Sequence, residues 1–261
     1  MDRLVRLAKA SDKTRPAGTA MAELCGVLLV LLFLLQPAVS AETVSYHDDD
    51  LTNGFYKTVF GSEISALSWG SQSKRVKKYV TPVRIWIDNR AKLNRLKTVR
   101  AFVKSLPQSI PGLQIKMARN KKDANFTIYV VDAKDYIPTV QNEVFKDKSI
   151  QVPGECIVRV LSRRSGILRS DAVIVSDKGR ATFQRCMVEE ILQGLGPVND
   201  DKSLIYSIFN DESRFDYFTQ YDRMILNMLY SPDLRPGMTL NEVKPLTPHL
   251  LRYARKIVEK R

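Results

Sequence analysis

The chain has 261 residues, 44% of them hydrophobic, enough to bury one core of ordinary size and too apolar for a disordered chain. Its 41 Lys and Arg against 28 Asp and Glu give a formal net charge of +13, which favours anionic partners. The only histidines are His47 and His249, so a three-histidine metal site is excluded.

Residues 1–41 read as an export leader. Arg3, Arg6, Lys9, Lys13 and Arg15 form a basic start, Leu24 to Leu35 is an apolar run, and Val39-Ser40-Ala41 sets small residues at a cleavage site. The run is about a dozen residues, short of the roughly 20 that a spanning helix needs, so no stable membrane span is expected after cleavage. The expected location is periplasmic or secreted, with Glu42 first. Without residues 1–41, which carry five basic and three acidic side chains, 36 Lys and Arg stand against 25 Asp and Glu, a net +11. In that compartment the anionic partner would be an envelope component or an acidic protein, and nucleic acid is not expected. Cys25 leaves with the leader. Cys156 and Cys186 remain, an even pair that reads as a disulfide, with two buried thiols as the alternative.

A lead-in segment, 42–80, follows: the acidic run Asp48-Asp49-Asp50, a turn at Asn53-Gly54, an aromatic stretch from Phe55 to Phe60, and the basic cluster from Lys74 to Lys78. It reads as irregular. From Val83 the pattern alternates, with Val83, Ile85 and Ile87 against Arg84 and Trp86, which predicts a strand. Ala91 to Ser105 has helical spacing through Leu93, Leu96, Val99, Phe102 and Val103, with Lys92, Arg95 and Lys97 outward and Pro107 ending it. Leu113 to Met117 predicts a second strand and the continuously apolar Phe126 to Val131 a more buried third. A polar connection containing Tyr136, Pro138 and Phe145 leads to a strand at Cys156 to Leu161, with Arg159 exposed, and another at Ala172 to Val175. Gly179 to Leu195 is a helix: Phe183, Met187, Ile191 and Leu195 recur every four residues, and Gly194 and Gly196 end it.

On that helix stands Glu189-Glu190-Ile191-Leu192-Gln193-Gly194-Leu195-Gly196-Pro197-Val198-Asn199-Asp200, followed by Ser207-Ile208-Phe209. The run resembles the zinc site of the metzincin metalloproteases, in which His-Glu-x-x-His lies on a helix, a glycine turns the chain, and a third histidine returns to the ion above a Ser-Ile-Met turn. Side chains at i and i+4 share a helix face, which is why that spacing holds a metal. The resemblance sets Glu189, Gln193 and Asn199 at the three histidine positions, Glu190 at the general base, and Ser207, Ile208 and Phe209 at the turn below. The order of strand, helix, four strands and helix agrees with it, and it implies a fourth strand forming the edge over a cleft. Asp222 to Tyr230, an amphipathic segment, resembles the helix that closes the lower lobe.

The segment Gly54 to Glu63, the start Pro82-Val83-Arg84, Cys186, the Glu-Glu-x-x-Gln run, Ser-Ile-Phe-Asn-Asp and Arg235-Pro236-Gly237-Met238 together resemble the bacterial family catalogued as a domain of unknown function, DUF2927. Roughly residues 51–240 carry that resemblance. The fold class it implies is α+β and metzincin-like: a mixed, twisted five-stranded sheet with two main helices, one of them active-site-like, and a smaller helical and irregular C-terminal lobe. The upper lobe would be 81–196 and the lower lobe 197–261.

No zinc peptidase is expected from such a site. Neutral imidazoles hold the ion and leave a place for an activated water, whereas Glu189, Gln193 and Asn199 offer one carboxylate and two amides, a poor set even for a hard cation. No cofactor is predicted. Adjacent helical residues point about 100° apart, so Glu189 and Glu190 do not form a glycosidase pair. The reading that follows is a non-catalytic, metzincin-derived cleft for a peptide or envelope component. The alternative is a hydrolase with an altered site centred on Glu190, with or without a hard metal. If the old site persists as hydrogen bonds, the Gln193 and Asn199 amides should donate to Glu189. A Cys156–Cys186 disulfide would pin the edge strand to the helix just before Glu189.

Overall fold

The computed structural model describes residues 45–61, 74–210 and 212–259, so the expected leader and Cys25 lie outside the described residues, as does Asp211. The chain from Val44 to Arg261 clusters as one unit. Among the described residues no helix is long and apolar enough to cross a membrane.

Helix α1, Asp48–Phe60, opens the fold where irregular chain was expected. Its three aspartates occupy the first turn, where the helix dipole favours negative charge, and Leu51, Phe55, Thr58 and Val59 form a buried stripe at helical spacing. Asn53-Gly54 suggested a turn, yet Gly54 lies inside the helix, where the lack of a side chain lets another residue pack against it. A Cβ on it would lie 2.0 Å from the Tyr221 hydroxyl, which crosses α1 to donate to the Asp50 carbonyl at 2.7 Å.

The sheet is five-stranded and mixed, in the order β2-β1-β3-β5-β4. Strand β1, Val83–Asn89, lies parallel to β2, Ile115–Met117, on one side and to β3, Phe126–Val131, on the other. Every β3 residue is buried, as its continuous apolar run predicted: Phe126, Ile128 and Val130 enter the main core and Tyr129 and Val131 a second cluster on the opposite face. Beyond β3 comes β5, Gly166–Val175, parallel to it, and then β4, Cys156–Arg163, antiparallel and outermost. Strand β5 begins earlier than the apolar pattern indicated because Arg169, Ser170 and Asp171 interrupt its apolar residues. There Arg169 chelates Asp171 through two bonds of 2.7 Å and covers Thr127 with a third of 3.2 Å.

Helix α2 spans Leu96–Ser109, later than expected at both ends. The chain before it is tied down by other bonds, from Arg90 and Ala91 amides to the Val130 carbonyl and from the Leu96 amide to Asn94. Pro107 does not end α2 at once; it sits in the last turn, where it offers no N–H to the Val103 carbonyl, and the helix stops two residues later. The segment read as a polar connection forms helix α3, Ala133–Thr139, continued by a wider π turn at Val140–Phe145. Pro138 lacks the N–H for a regular ladder, and the looser turn keeps Tyr136, Val140 and Val144 in line on the second face of the sheet. Arg159, expected to be exposed, is half-buried: it donates to the Val144 carbonyl at 2.6 Å and lies over the Phe145 ring.

Helix α4, Arg180–Gln193, packs on the main face with Phe183, Met187 and Ile191 all at 1% exposure or less. After it come α5, Gln220–Leu229, α6, Leu240–Val243, and α7, Thr247–Val258, with α1 and α7 both packed on α5. The fold is therefore α+β with the anticipated mixed sheet, and α1, α3, the short α6 and α7 are helices beyond those expected.

Candidate functional site

Three polar side chains are buried at the C-terminal half of α4: Glu189 at 7% exposure, Glu190 at 6% and Gln193 at 7%. Glu189 and Gln193 are four residues apart on one helix and so share a face, as predicted. The chain then turns at Gly196, whose φ is +138°. A Cβ there would lie 2.2 Å from the Lys77 carbonyl, so both the left-handed backbone and the close approach require glycine. Two side chains cap the turn's carbonyls: the Ser170 hydroxyl donates to Gly194 at 2.7 Å and the Tyr230 hydroxyl to Leu195 at 2.8 Å.

The amides do not donate to Glu189 in the arrangement anticipated. The Gln193 amide donates to the Asp200 carboxylate at 2.7 Å. The Asn199 side chain donates at 2.9 Å, and its backbone N–H at 3.2 Å, to the Thr58 carbonyl in the last turn of α1. That carbonyl has no partner within its own helix, which makes it a strong acceptor for a loop that reaches it. Lys57 reinforces the junction by donating to Asp201 and Ser203. Glu189 pairs with Arg185, Nε to Oε2 at 3.5 Å, and Arg185 also donates to the Asn210 carbonyl at 3.2 Å. The positions that matched metal ligands thus fasten α4, the loop at 199–210 and α1 to one another.

Ser207, Ile208 and Phe209 form a fully buried turn, each at 0% exposure. What holds it is Asp222, a residue to which the sequence reading assigned no role. Its carboxylate accepts from the Ser207 hydroxyl at 2.5 Å, the Ile208 amide at 3.1 Å and the Thr219 hydroxyl at 2.7 Å. Asp222 and Thr219 also form a reciprocal capping box at the start of α5. The Thr-x-x-Asp spacing ahead of an apolar run was the available signal. Burial pushes the Asp222 carboxyl up to about 6, against the downward pull of those donors.

Cys156 and Cys186 are joined, with Cα atoms 5.8 Å apart, which ties the edge strand β4 to α4 one helical turn before Glu190. After burial, the charge of Glu190 is the next cause raising the Tyr136 phenol, whose hydroxyl donates to the Pro153 carbonyl at 2.8 Å. His47 stands at the N-cap position of α1 without a side-chain cap bond and His249 lies on α7, both exposed. Among the described residues no three His, Cys, Asp or Glu side chains are grouped as a metal would need. A groove of 280 Å³ is lined by Asp50, Asn53, Lys57, Ser203, Tyr206 and Tyr221 among others, and none of the predicted site residues lines it.

An α+β chain with a mixed sheet, an antiparallel edge strand and a helix disulfide-bonded to that edge is the class of protein these features define. The chain belongs to the family described as a protein of unknown function, DUF2927, whose model matches residues 48–249. No curated protein matches it, and no solved structure does.

Proposed function

We propose that the chain is an exported, non-catalytic scaffold of metzincin type that binds an extended peptide along the outer edge of β4, above α4. The observation that carries this reading is the state of β4. Among the described residues it pairs with β5 alone, and the Cys156–Cys186 bond fixes it to the helix bearing Glu189 and Glu190. An outermost strand offers backbone donors and acceptors to an incoming peptide, which adds as a further strand.

The strand order supports the metzincin part of the reading, since β4 is the fourth strand in sequence and the outermost in space. The lack of catalysis is supported by chemistry: the ligand positions carry Glu189, Gln193 and Asn199 without an imidazole, and two of them hydrogen-bond to Asp200 and Thr58. Cleavage after Ala41, a periplasmic or secreted location, and the division into lobes at 81–196 and 197–261 belong to the same proposal.

A test uses the tryptic peptides of reduced casein as unstructured probes and the isotopically labelled chain from residue 42. Expected are shifts in the backbone amides of Cys156–Arg163, with every peptide recovered intact. Absence of binding, or shifts confined to other elements, contradicts the reading. Peptide hydrolysis that disappears in Glu190→Ala replaces it with the altered hydrolase.

A further inference from the structure

Residues 90–122 contain ten Lys and Arg and no Asp or Glu. The fold gathers this stretch on one flank of the sheet, because α2 packs against β1 and β2 and β2 is the sheet's other edge. Three of the ten cations are used internally. Arg90 and Lys121 bridge Asp88 and Glu143, and Arg95 lies over the Phe183 ring while donating to the Ser176 carbonyl. The other seven form no side-chain hydrogen bond or ion pair among the described residues, and all are exposed.

Their placement is two-dimensional. Lys97, Arg100 and Lys104 stand at i, i+3 and i+7 on the outward face of α2, opposite its buried Val99, Val103 and Leu106. Lys116, Arg119 and Lys122 continue the field across β2 and the turn after it, and Lys92 extends it before α2.

We propose that this flank docks on an anionic lipid surface, lying on the head groups without inserting. Three observations select that partner. The charges spread over the convex outside of a helix and a sheet edge, which suits a plane of anions better than a single chain. Five of the seven are lysines, point charges suited to diffuse attraction, whereas recognition of individual phosphates favours the bidentate fork of arginine. The stretch has one aromatic residue, Phe102, and it packs against the core, so the stacking platform of a single-stranded nucleic-acid site is missing. Insertion is excluded for α2 because its apolar face is already buried in the protein.

The test is vesicle co-sedimentation of the chain from residue 42, which retains the whole compact unit. Probes are vesicles of phosphatidylcholine alone and with about one third phosphatidylglycerol, at low and high salt. The wild type should bind only the anionic vesicles and should dissociate at high salt. K97E/R100E/K104E should weaken binding at least tenfold, and K97Q/R100Q/K104Q should fall between it and the wild type. K244E/R252E/K256E, with the same charge change at exposed positions on and just before α7, should stay within twofold of wild type. Both triple reversals must melt cooperatively near the wild-type temperature, and reversal at these exposed positions is expected to satisfy that. Equal losses in the two reversals would reduce the effect to net charge and overturn the proposal. So would binding to neutral vesicles, or failure to bind anionic ones, including the case in which an oligonucleotide binds this flank instead.

Discussion

Asp222 is a carboxylate with 0% exposure that serves five bonds to Ser207, Ile208 and Thr219, and its folded value near 6 exceeds the usual aspartate value of about 3.9. A raised folded value means that the folded chain binds this proton more tightly than the unfolded chain. The stability it contributes is therefore complete below about pH 4 and is lost as the pH rises through about 6. In urea titrations, wild type minus Asp222→Asn should show that decline between the two values, and a flat difference would refute the assignment. Asp222→Ala should cost about 3 kcal/mol or more at neutral pH, since it orphans several buried donors at once. Asn199→Ala should cost about 1–2 kcal/mol, because it removes one of the loop's bonds to α1 while leaving the backbone bond to Thr58 in place. The identities at Glu189, Gln193 and Asn199 were legible from spacing, but their partners were not. Thr58 reaches Asn199 only after α1 has folded against the loop, and no local pattern around Asn199 announces a helix 141 residues away.

Where one period ran without interruption, the element was readable: the alternation at Val83–Asn89, the six buried residues of β3 and the four-residue recurrence along α4 all correspond to structure. The elements that escaped contain a residue whose local habit the tertiary structure overrides. Asn53-Gly54 reads as a turn but lies within α1, its bare Cα packed under the Tyr221 hydroxyl, and Pro138 hides the Tyr136, Val140 and Val144 stripe by widening the ladder around it. Helix α7 went unread although Thr247-Pro248 opens it and Leu250, Leu251 and Ala254 are its buried face. The disulfide joins residues 30 apart in sequence, so a Cys156→Ser, Cys186→Ser double variant should lose about 3–4 kcal/mol by the chain-entropy relation, measured by urea denaturation. An equal stability for the two proteins would show that the bond does not constrain the unfolded chain as expected. Gly196→Ala should be more damaging than an ordinary surface glycine replacement, by about 3 kcal/mol or more, because a Cβ would meet the Lys77 carbonyl at 2.2 Å with φ already at +138°.

Taken together, the sheet offers two edges of different character. Among the described residues one, β4, pairs with a neighbouring strand on one side only and is disulfide-bonded to α4; the other, β2 with α2, carries seven exposed Lys and Arg. A peptide on the first edge and an anionic surface beside the second would leave the interior of α4 with a mechanical task. Arg185 links it to Asn210 and Gln193 links it to Asp200, so the loop at 199–210 is held from the helix as well as from α1. The central claim is that Glu189, Gln193 and Asn199 fasten the fold and hold no catalytic metal. Elemental mass spectrometry on chain purified without chelator, combined with the casein-peptide assay, tests it most directly. The account predicts substoichiometric zinc and intact peptides, with peptide binding unchanged in Glu190→Ala. One zinc per chain, with peptide hydrolysis lost both on chelation and in Glu190→Ala, would contradict it.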